Sequence, residues 1–343
     1  MGLKMLNRVW NAFCCILLVV VSCDSQGDAL LSPGSFRVIS RMFMPVPEGR
    51  KATMDDVRIL HYGRNLTDPK IYYFKDIKRL LSDPHFDTSK TTMLYAHGYG
   101  EVPSDDNVLY LVRSYLENGG YNTLVLDWGN YAFGNYVVAG LKLLPVGEEA
   151  GKALSILIRA GLPLDGLHLI GHSMGAHLMA AASRKLASLG HTVRRLTALD
   201  AAFPGFYPPL QILSPPISPS DARFVDAIHT DGGWFGTPRA TGHADFWPNG
   251  GRAKQPGCPA FSIPATSEDF CSHWRSWRFW CEALNGGEFL ARKCDSYDAF
   301  QQGQCRGEQL VHMGIKATPD LRGNYYLKTA SKQPYALGEA GAE

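Results

Sequence analysis

A chain of 343 residues with 45% hydrophobic side chains can bury a sizeable core in one large domain or two small ones. Its formal net charge of +2 and dispersed Lys and Arg exclude the clustered basic footprint of a nucleic-acid binder.

The first residues stand apart. Lys4 and Arg8 precede an apolar run from Trp10 to Val21, and Ser22, Cys23 and Ser25 supply small residues for cleavage. This is the layout of a secretory signal peptide over roughly residues 1–25, its apolar run too short to span a bilayer comfortably. The rest, 26–343, is expected to form one domain in an extracellular, oxidising setting. Asn65-Leu66-Thr67 is a glycosylation sequon that suits a surface loop. Residues 28–90 are weakly patterned, with short strands expected at Phe36–Met44 and Ile71–Phe74.

From Thr91 the pattern sharpens. Thr92–Ala96 reads as a buried strand ending in His97-Gly98-Tyr99-Gly100, and a helical stretch runs from Asn107 to Glu117. A second strand, Asn122–Leu126, closes on Asp127-Trp128-Gly129, and a long helix is expected from Val137 to Ala160, bent at Pro145. Further strands are expected at Leu167–Gly171, Arg195–Leu199 and Arg223–Ile228. Strands alternating with helices predict a mostly parallel α/β sheet covered on both faces. His97, Asp127, Ser173, Asp200 and His229 fall at carboxyl ends of strands, where such sheets gather their acting groups. From Asp231 the chain becomes Gly- and Pro-rich and is read as a long irregular excursion.

Gly171-His172-Ser173-Met174-Gly175 stands between an apolar strand and a small-residue helix, the context of a nucleophile elbow. A serine hydroxyl needs a histidine base, and that histidine needs a carboxylate to fix its tautomer. In elbow-bearing folds the acid and then the histidine follow the serine along the chain. Asp200, ending the next strand, leads Asp226 and Asp231 as the acid. The candidate bases are His229, His243, His273 and His312, with His273 preferred because Cys271 can anchor it. His172 and His177 read as packing groups. Backbone N–H groups of Met174 and Tyr99 are placed to form an oxyanion hole.

Cys14, Cys15 and Cys23 fall in the signal, leaving Cys258, Cys271, Cys281, Cys294 and Cys305. They lack a repeated Cys-x-x-Cys, so disulfides are favoured over zinc, and an odd count leaves one thiol over. Trp274, Trp277, Phe279 and Trp280 are spaced for burial on one helix, 272–284.

His97-Gly98-Tyr99, Asp127-Trp128, Gly171-His172-Ser173-Met174-Gly175-Ala176-His177, Leu199-Asp200, Ile228-His229-Thr230-Asp231, Asp245-Phe246-Trp247-Pro248-Asn249-Gly250-Gly251 and Cys271-Ser272-His273-Trp274-Arg275-Ser276 resemble, in order, the catalytic domain of the pancreatic lipase family over about residues 60–330. The resemblance implies an α/β-hydrolase fold and a Ser173–Asp200–His273 triad. It also implies a Cys258–Cys271 bridge closing a lid and a Cys294–Cys305 bridge, with Cys281 unpaired.

Several departures stand out. Leu199-Asp200-Ala201-Ala202 replaces the family's Leu-Asp-Pro-Ala. Of the vertebrate calcium loop only Asp221 remains, with Leu213, Pro216 and Ser218 near the other ligand positions, so no metal or other cofactor is expected. The C-terminal β-sandwich is missing, as in shorter insect and venom-type members, so no colipase-like partner is expected. The lid holds 12 residues, Pro259 to Phe270, a shortness that in this family accompanies phospholipase A1 or galactolipase activity. Phe261, Ile263 and Phe270 are expected to form its apolar face, with Glu268 and Asp269 on the wet side. The resulting expectation is a secreted serine ester hydrolase acting on glycerolipids at a lipid–water interface, sn-1 phospholipid esters first and triacylglycerol or galactolipid as alternatives. A non-catalytic lipid carrier or storage protein is the reading from another class.

Overall fold

The computed structural model describes residues 53–262, 266 and 268–343. The expected signal peptide, the strand expected at Phe36–Met44 and Ile263 lie outside the described residues.

Runs rich in β-branched and large apolar residues, buried almost without interruption because both faces of the sheet are covered, build the centre. They form β3 (Thr91–Ala96), β4 (Tyr121–Asp127), β5 (Leu167–His172), β6 (Arg195–Leu199) and β7 (Phe224–Ile228). Ahead of them come β1 (Arg58–Tyr62) and β2 (Lys70–Tyr73); after them β8 (Ala244–Pro248), β9 (Leu290–Lys293), β10 (Leu310–His312) and β11 (Gly323–Leu327). Together these strands make an 11-stranded sheet in the order β10-β9-β11-β8-β7-β6-β5-β3-β4-β1-β2. From β11 to β4 every neighbouring pair is parallel, and the outer pairs are antiparallel.

Alternation sends Leu94, Leu126, Leu169, Leu196 and Val225 to one face. Met93, Val125, Ile170, Leu199 and Ile228 go to the other. On the first face lie α2 (Tyr136–Arg159) and α3 (Met174–Ser188), and on the second α1 (Asp106–Asn118) and α4 (Cys271–Leu284). A short α5 (Tyr297–Gln301) follows. This is the α/β-hydrolase arrangement, a mostly parallel sheet with helices on both faces.

Two glycines set how closely α2 and α3 approach. A Cβ at Gly147 would lie 2.6 Å from Ala181 Cβ, and one at Gly151 would lie 2.6 Å from the Ala182 carbonyl. The alanines of α3 are the matching surface. Asn135 caps α2 by accepting from the N–H groups of Val137 and Val138. The helix then runs as one element through Pro145, instead of dividing there. Pro145 is on its exposed side, where solvent can take the Leu141 carbonyl that proline leaves unbonded.

The irregular excursion expected after Asp231 contains a central strand, β8. Its pattern is concealed because Asp245 is buried in mid-strand, where it accepts from Thr241 N at 2.8 Å and faces His229 Nε2 at 2.7 Å. On α4, Trp277, Phe279 and Trp280 are buried and Trp274 packs half-buried against the same core.

Arg195 ties the far end of the chain to the sheet. Its guanidinium makes two bonds to Asp226, at 2.9 and 2.8 Å, and donates to the carbonyls of Gly314 and Ile315. Asp226 is fully buried and also accepts from Thr197 Oγ1 at 2.7 Å. Removing one partner of a buried pair strands the other. Asp226→Ala is therefore expected to cost about 3–5 kcal/mol, whereas Glu149→Ala, which breaks an exposed pair with Lys152, should leave the melting temperature unchanged. Thermal unfolding of the two variants beside the parent checks this.

Candidate active site

β5 ends at His172 and α3 begins at Met174, so the chain reverses over Ser173 alone. Ser173 takes φ 54° and ψ −124°, a conformation costly for a residue with a side chain. The flanking residues have no room for one. A Cβ at Gly171 would lie 2.3 Å from the Gly175 carbonyl group, and one at Gly175 would lie 2.2 Å from the Ala96 carbonyl. Strand-to-helix packing this tight holds the half-exposed Ser173 at the start of α3, where unpaired helix N–H groups can face an anion.

Asp200 leaves β6 with φ 49° and lies fully buried. Its Oδ1 accepts from the N–H groups of Thr230 at 2.8 Å and Asp231 at 3.2 Å, and its Oδ2 is 2.6 Å from His273 Nδ1. The carboxylate accepts, so Nδ1 carries the imidazole proton and Nε2 keeps a lone pair. Burial, followed by the neighbouring His172, pulls the His273 pKa below its usual value against the opposing pull of Asp200. A ring that is neutral near pH 7 can serve as a base. His273 stands in the first turn of α4, two residues beyond the bridged Cys271. Its ring centroid is 4.6 Å from that of His172, the residue before Ser173, so histidine and elbow meet. A Cβ at Gly236 would lie 2.4 Å from the Asp200 carboxylate, which accounts for a glycine there.

The rival residues have other partners. Asp226 pairs with Arg195. His229 faces Asp245 and stacks on Trp247 at 3.8 Å. His243 Nδ1 accepts from Val225 N, and His312 lies on the edge strand β10. His177 Nδ1 accepts from Ile217 N while its Nε2 faces the Ala202 carbonyl, and burial brings its pKa down to about 3. Asp231 does join the site. It is fully buried, and burial, then the charge of Asp200, push its pKa up to about 8. Beside Asp200 it favours the neutral carboxylic acid near neutral pH.

Successive peptides of the loop after β3 are each held. The His97 carbonyl accepts from Trp128 Nε1 at 3.0 Å, and the Gly98 N–H donates to Glu101 Oε2 at 2.6 Å. Gly98 O is 3.0 Å from His97 Nδ1, and the Gly100 N–H donates to the Ala132 carbonyl at 2.8 Å. Tyr99 lies between these anchors, its hydroxyl bonded to the Gly134 carbonyl. Glu101 escaped the sequence reading, since one acid in a polar loop carries no periodic signal.

Cys258 is bonded to Cys271 and Cys294 to Cys305, while Cys281 is a buried free thiol whose pKa burial pushes up to about 12. Within the first bridge, Phe261 is 92% exposed. Phe270 differs from the expected lid face. It is buried and stacks on Phe235, ring centroids 4.4 Å apart, because the bridge and the first turn of α4 draw it inward. Asp269 accepts from Ser262 Oγ at 2.9 Å and is half-buried; Glu268 is exposed.

The segment matching the calcium loop does not fit that ion. Both Asp221 oxygens accept from Arg184, at 2.7 and 2.8 Å, and the same guanidinium binds the Pro215 and Pro216 carbonyls. The acid and the carbonyls are thus already engaged by a cation belonging to the chain.

A family model described as Lipase matches residues 43–335. Pancreatic lipase-related protein 2 of Rattus norvegicus is 34% identical over 242 residues, 64% of this chain and 50% of that protein. Pancreatic triacylglycerol lipase of Cavia porcellus is 30% identical over 279 residues, 73% of this chain and 59% of that protein. Inactive pancreatic lipase-related protein 1 of Homo sapiens is 32% identical over 251 residues, 66% and 52% of the respective chains. The chain thus spans about half the length of these curated relatives.

Two outcomes are expected from the site's charges. A chelator such as EDTA should change neither activity nor melting temperature, whereas Arg184→Ala should lower the melting temperature; calcium-dependent activity would contradict this. Folded Asp231 keeps a proton to about pH 8 that the unfolded chain loses near its ordinary 3.8. Its stabilising contribution is complete below the lower value and disappears as pH rises through the upper one. Asp231→Asn should therefore gain melting temperature over the parent from pH 5 to pH 9, and a pH-independent difference would refute the assignment.

Proposed function

The chain belongs to the lipase family, and on that footing we propose that it is a secreted serine hydrolase cleaving carboxylic esters of glycerolipids. The observation that carries this reading is the buried Asp200–His273 bond of 2.6 Å, with the His273 ring 4.6 Å from that of His172, the residue before the elbow serine. In the proposed mechanism His273 Nε2 takes the Ser173 proton as Oγ attacks the acyl carbon. Asp200 holds the imidazole in its Nδ1–H form and balances the imidazolium. Backbone N–H groups of Tyr99 and Met174 receive the charge that develops on the carbonyl oxygen. His273 then passes the proton to the departing alcohol, and water releases the acyl group by the same steps in reverse.

Lipid as the substrate phase is supported by apolar side chains that remain in solvent. Phe261 in the bridged loop is 92% exposed, and Trp234, beside the Phe235 that stacks on Phe270, is 55% exposed. Val138 and Leu141 on α2 and Leu210 and Ile212 in the loop after β6 are also exposed. Helix α2 begins at Tyr136, which contacts both the Tyr99 ring and the Pro204 carbonyl, and Ile212 N bonds the carbonyl of the next residue, Gly205. Isolated exposed apolar residues mean little, but a series around one site favours an apolar phase. The short loop between Cys258 and Cys271 favours phospholipid sn-1 esters, with triacylglycerol or galactolipid second. Secretion is supported by two disulfides and by the exposed Asn65, the proposed glycan site. No helix among the described residues is long and apolar enough to cross a membrane.

One relative is named inactive, so a lipid-binding role without catalysis is the second reading. A fluorophosphonate probe, with labelled phosphatidylcholine and triacylglycerol, separates the two. The parent should be labelled and should hydrolyse phosphatidylcholine faster than triacylglycerol, and Ser173→Ala should lose label and at least about 10³-fold of the rate. Equal rates in the two proteins would remove Ser173 as nucleophile.

A further inference from the structure

Glu101 stands outside the three residues of the proposed triad, yet it is built into the same site. It is 3% exposed, and both oxygens are in use: Oε2 accepts from Gly98 N at 2.6 Å and Oε1 from Asn107 Nδ2, on α1, at 2.7 Å. Oε1 also lies 3.5 Å from His172 Nδ1. A Cβ at Gly98 would lie 3.2 Å from each of three atoms, namely Glu101 Oε2, His172 Nδ1 and Ser173 Cβ. Carboxylate, imidazole and nucleophile therefore press on a single Cα. Burial opposes ionisation, but His172, His97 and the Gly98 N–H together hold the Glu101 pKa below its ordinary value. At neutral pH it is a carboxylate.

The direction of the Tyr99 N–H follows from two peptide planes. Trp128 and Glu101 grip the 97–98 peptide at its carbonyl and its N–H, so that plane cannot turn. The next peptide is trans, with Gly98 O near His97 Nδ1, and a trans amide points its N–H opposite its carbonyl. Releasing the Gly98 N–H frees the first plane and with it the aim of the second. Resting on the hydrolase reading above, we propose that Glu101 is a positioning residue for ester hydrolysis, its carboxylate holding Gly98 so that the Tyr99 N–H meets the oxyanion. It also places a negative charge one imidazole away from His273. The ionisable groups facing His273 are Asp200 and Asp231 from the loops after β6 and β7, His172 from β5 and, behind it, Glu101.

Two variants test this, with rates on a soluble monomeric ester expressed per fluorophosphonate-titrated site. Glu101→Ala should lower kcat about ten- to hundredfold, less than the ~10²–10³ lost on deleting an oxyanion donor outright. KM should stay within about twofold, while affinity for a boronic acid, which mimics the tetrahedral state, should fall in step with kcat. Glu101→Gln retains an acceptor for Gly98 while losing the charge, and Asn107 can turn its amide to suit. It should recover most of kcat and move the acid limb of the pH–rate profile to lower pH, because a negative charge that held a proton on His273 is gone. A purely structural glutamate would lower melting temperature and titratable fraction while leaving kcat per site and the acid limb unchanged, and that result overturns the proposal. A parent protein that fluorophosphonate does not label would overturn the hydrolase reading as well.

Discussion

The closeness of β5 to α3 is the constraint on which everything else depends. Gly171 and Gly175 let the strand turn into the helix across one residue, and the strain at Ser173 is sustained by packing on both sides. Loosening that contact would let Ser173 relax into an ordinary turn, lowering its hydroxyl from the rim of the sheet. The parallel strands on either side then deliver the remaining parts at the same height: the Tyr99 loop from β3 and Asp200 from β6. His273 alone arrives from a helix on the opposite face.

The structure accumulates buried charge and neutralises it in different ways. Asp200 is satisfied by two backbone donors and an imidazole, Glu101 by a backbone donor, an amide and a nearby imidazole, and Asp226 and Asp221 by guanidinium groups. Asp231 makes no ion pair among the described residues, and burial with the charge of Asp200 favours its protonated form. Two acids side by side can thus coexist in an apolar interior, because only one of them is charged. His273 held below its usual pKa and Asp231 held above it fit the proton transfers of the proposed mechanism.

Much of this was legible in the sequence because it is written in short-range pattern. The apolar runs of β3 to β7 and the elbow glycines depend on residues close together in the chain, whereas Asp200 and His273 were reached through the order of serine, acid and histidine. β8 was concealed because its buried Asp245 breaks the apolar run, the charge being answered by His229 sixteen positions earlier. The C-terminal strands were missed for a related reason: β11 joins the sheet at β8, and β9 joins it at β11, through long-range contacts with little local signal. Phe270 reads as a lid side chain from its position, but its burial depends on Phe235, far away in sequence. Glu101 could not be singled out because its partners are a backbone N–H, an amide on α1 and the histidine before the elbow. Long-range partnership, rather than residue type, separates what could be read from what could not.

Where α2 crosses α3, the fit of Gly147 and Gly151 against the alanines has a mechanical corollary. Helix α3 carries Ser173 at its N-terminal end, and the close crossing fixes the helix's tilt. A single methyl wedged under the helix there would tilt that end, with no substrate ever touching the altered position. Two small residues remote from Ser173 should therefore tolerate little change, guarded by leverage rather than by chemistry.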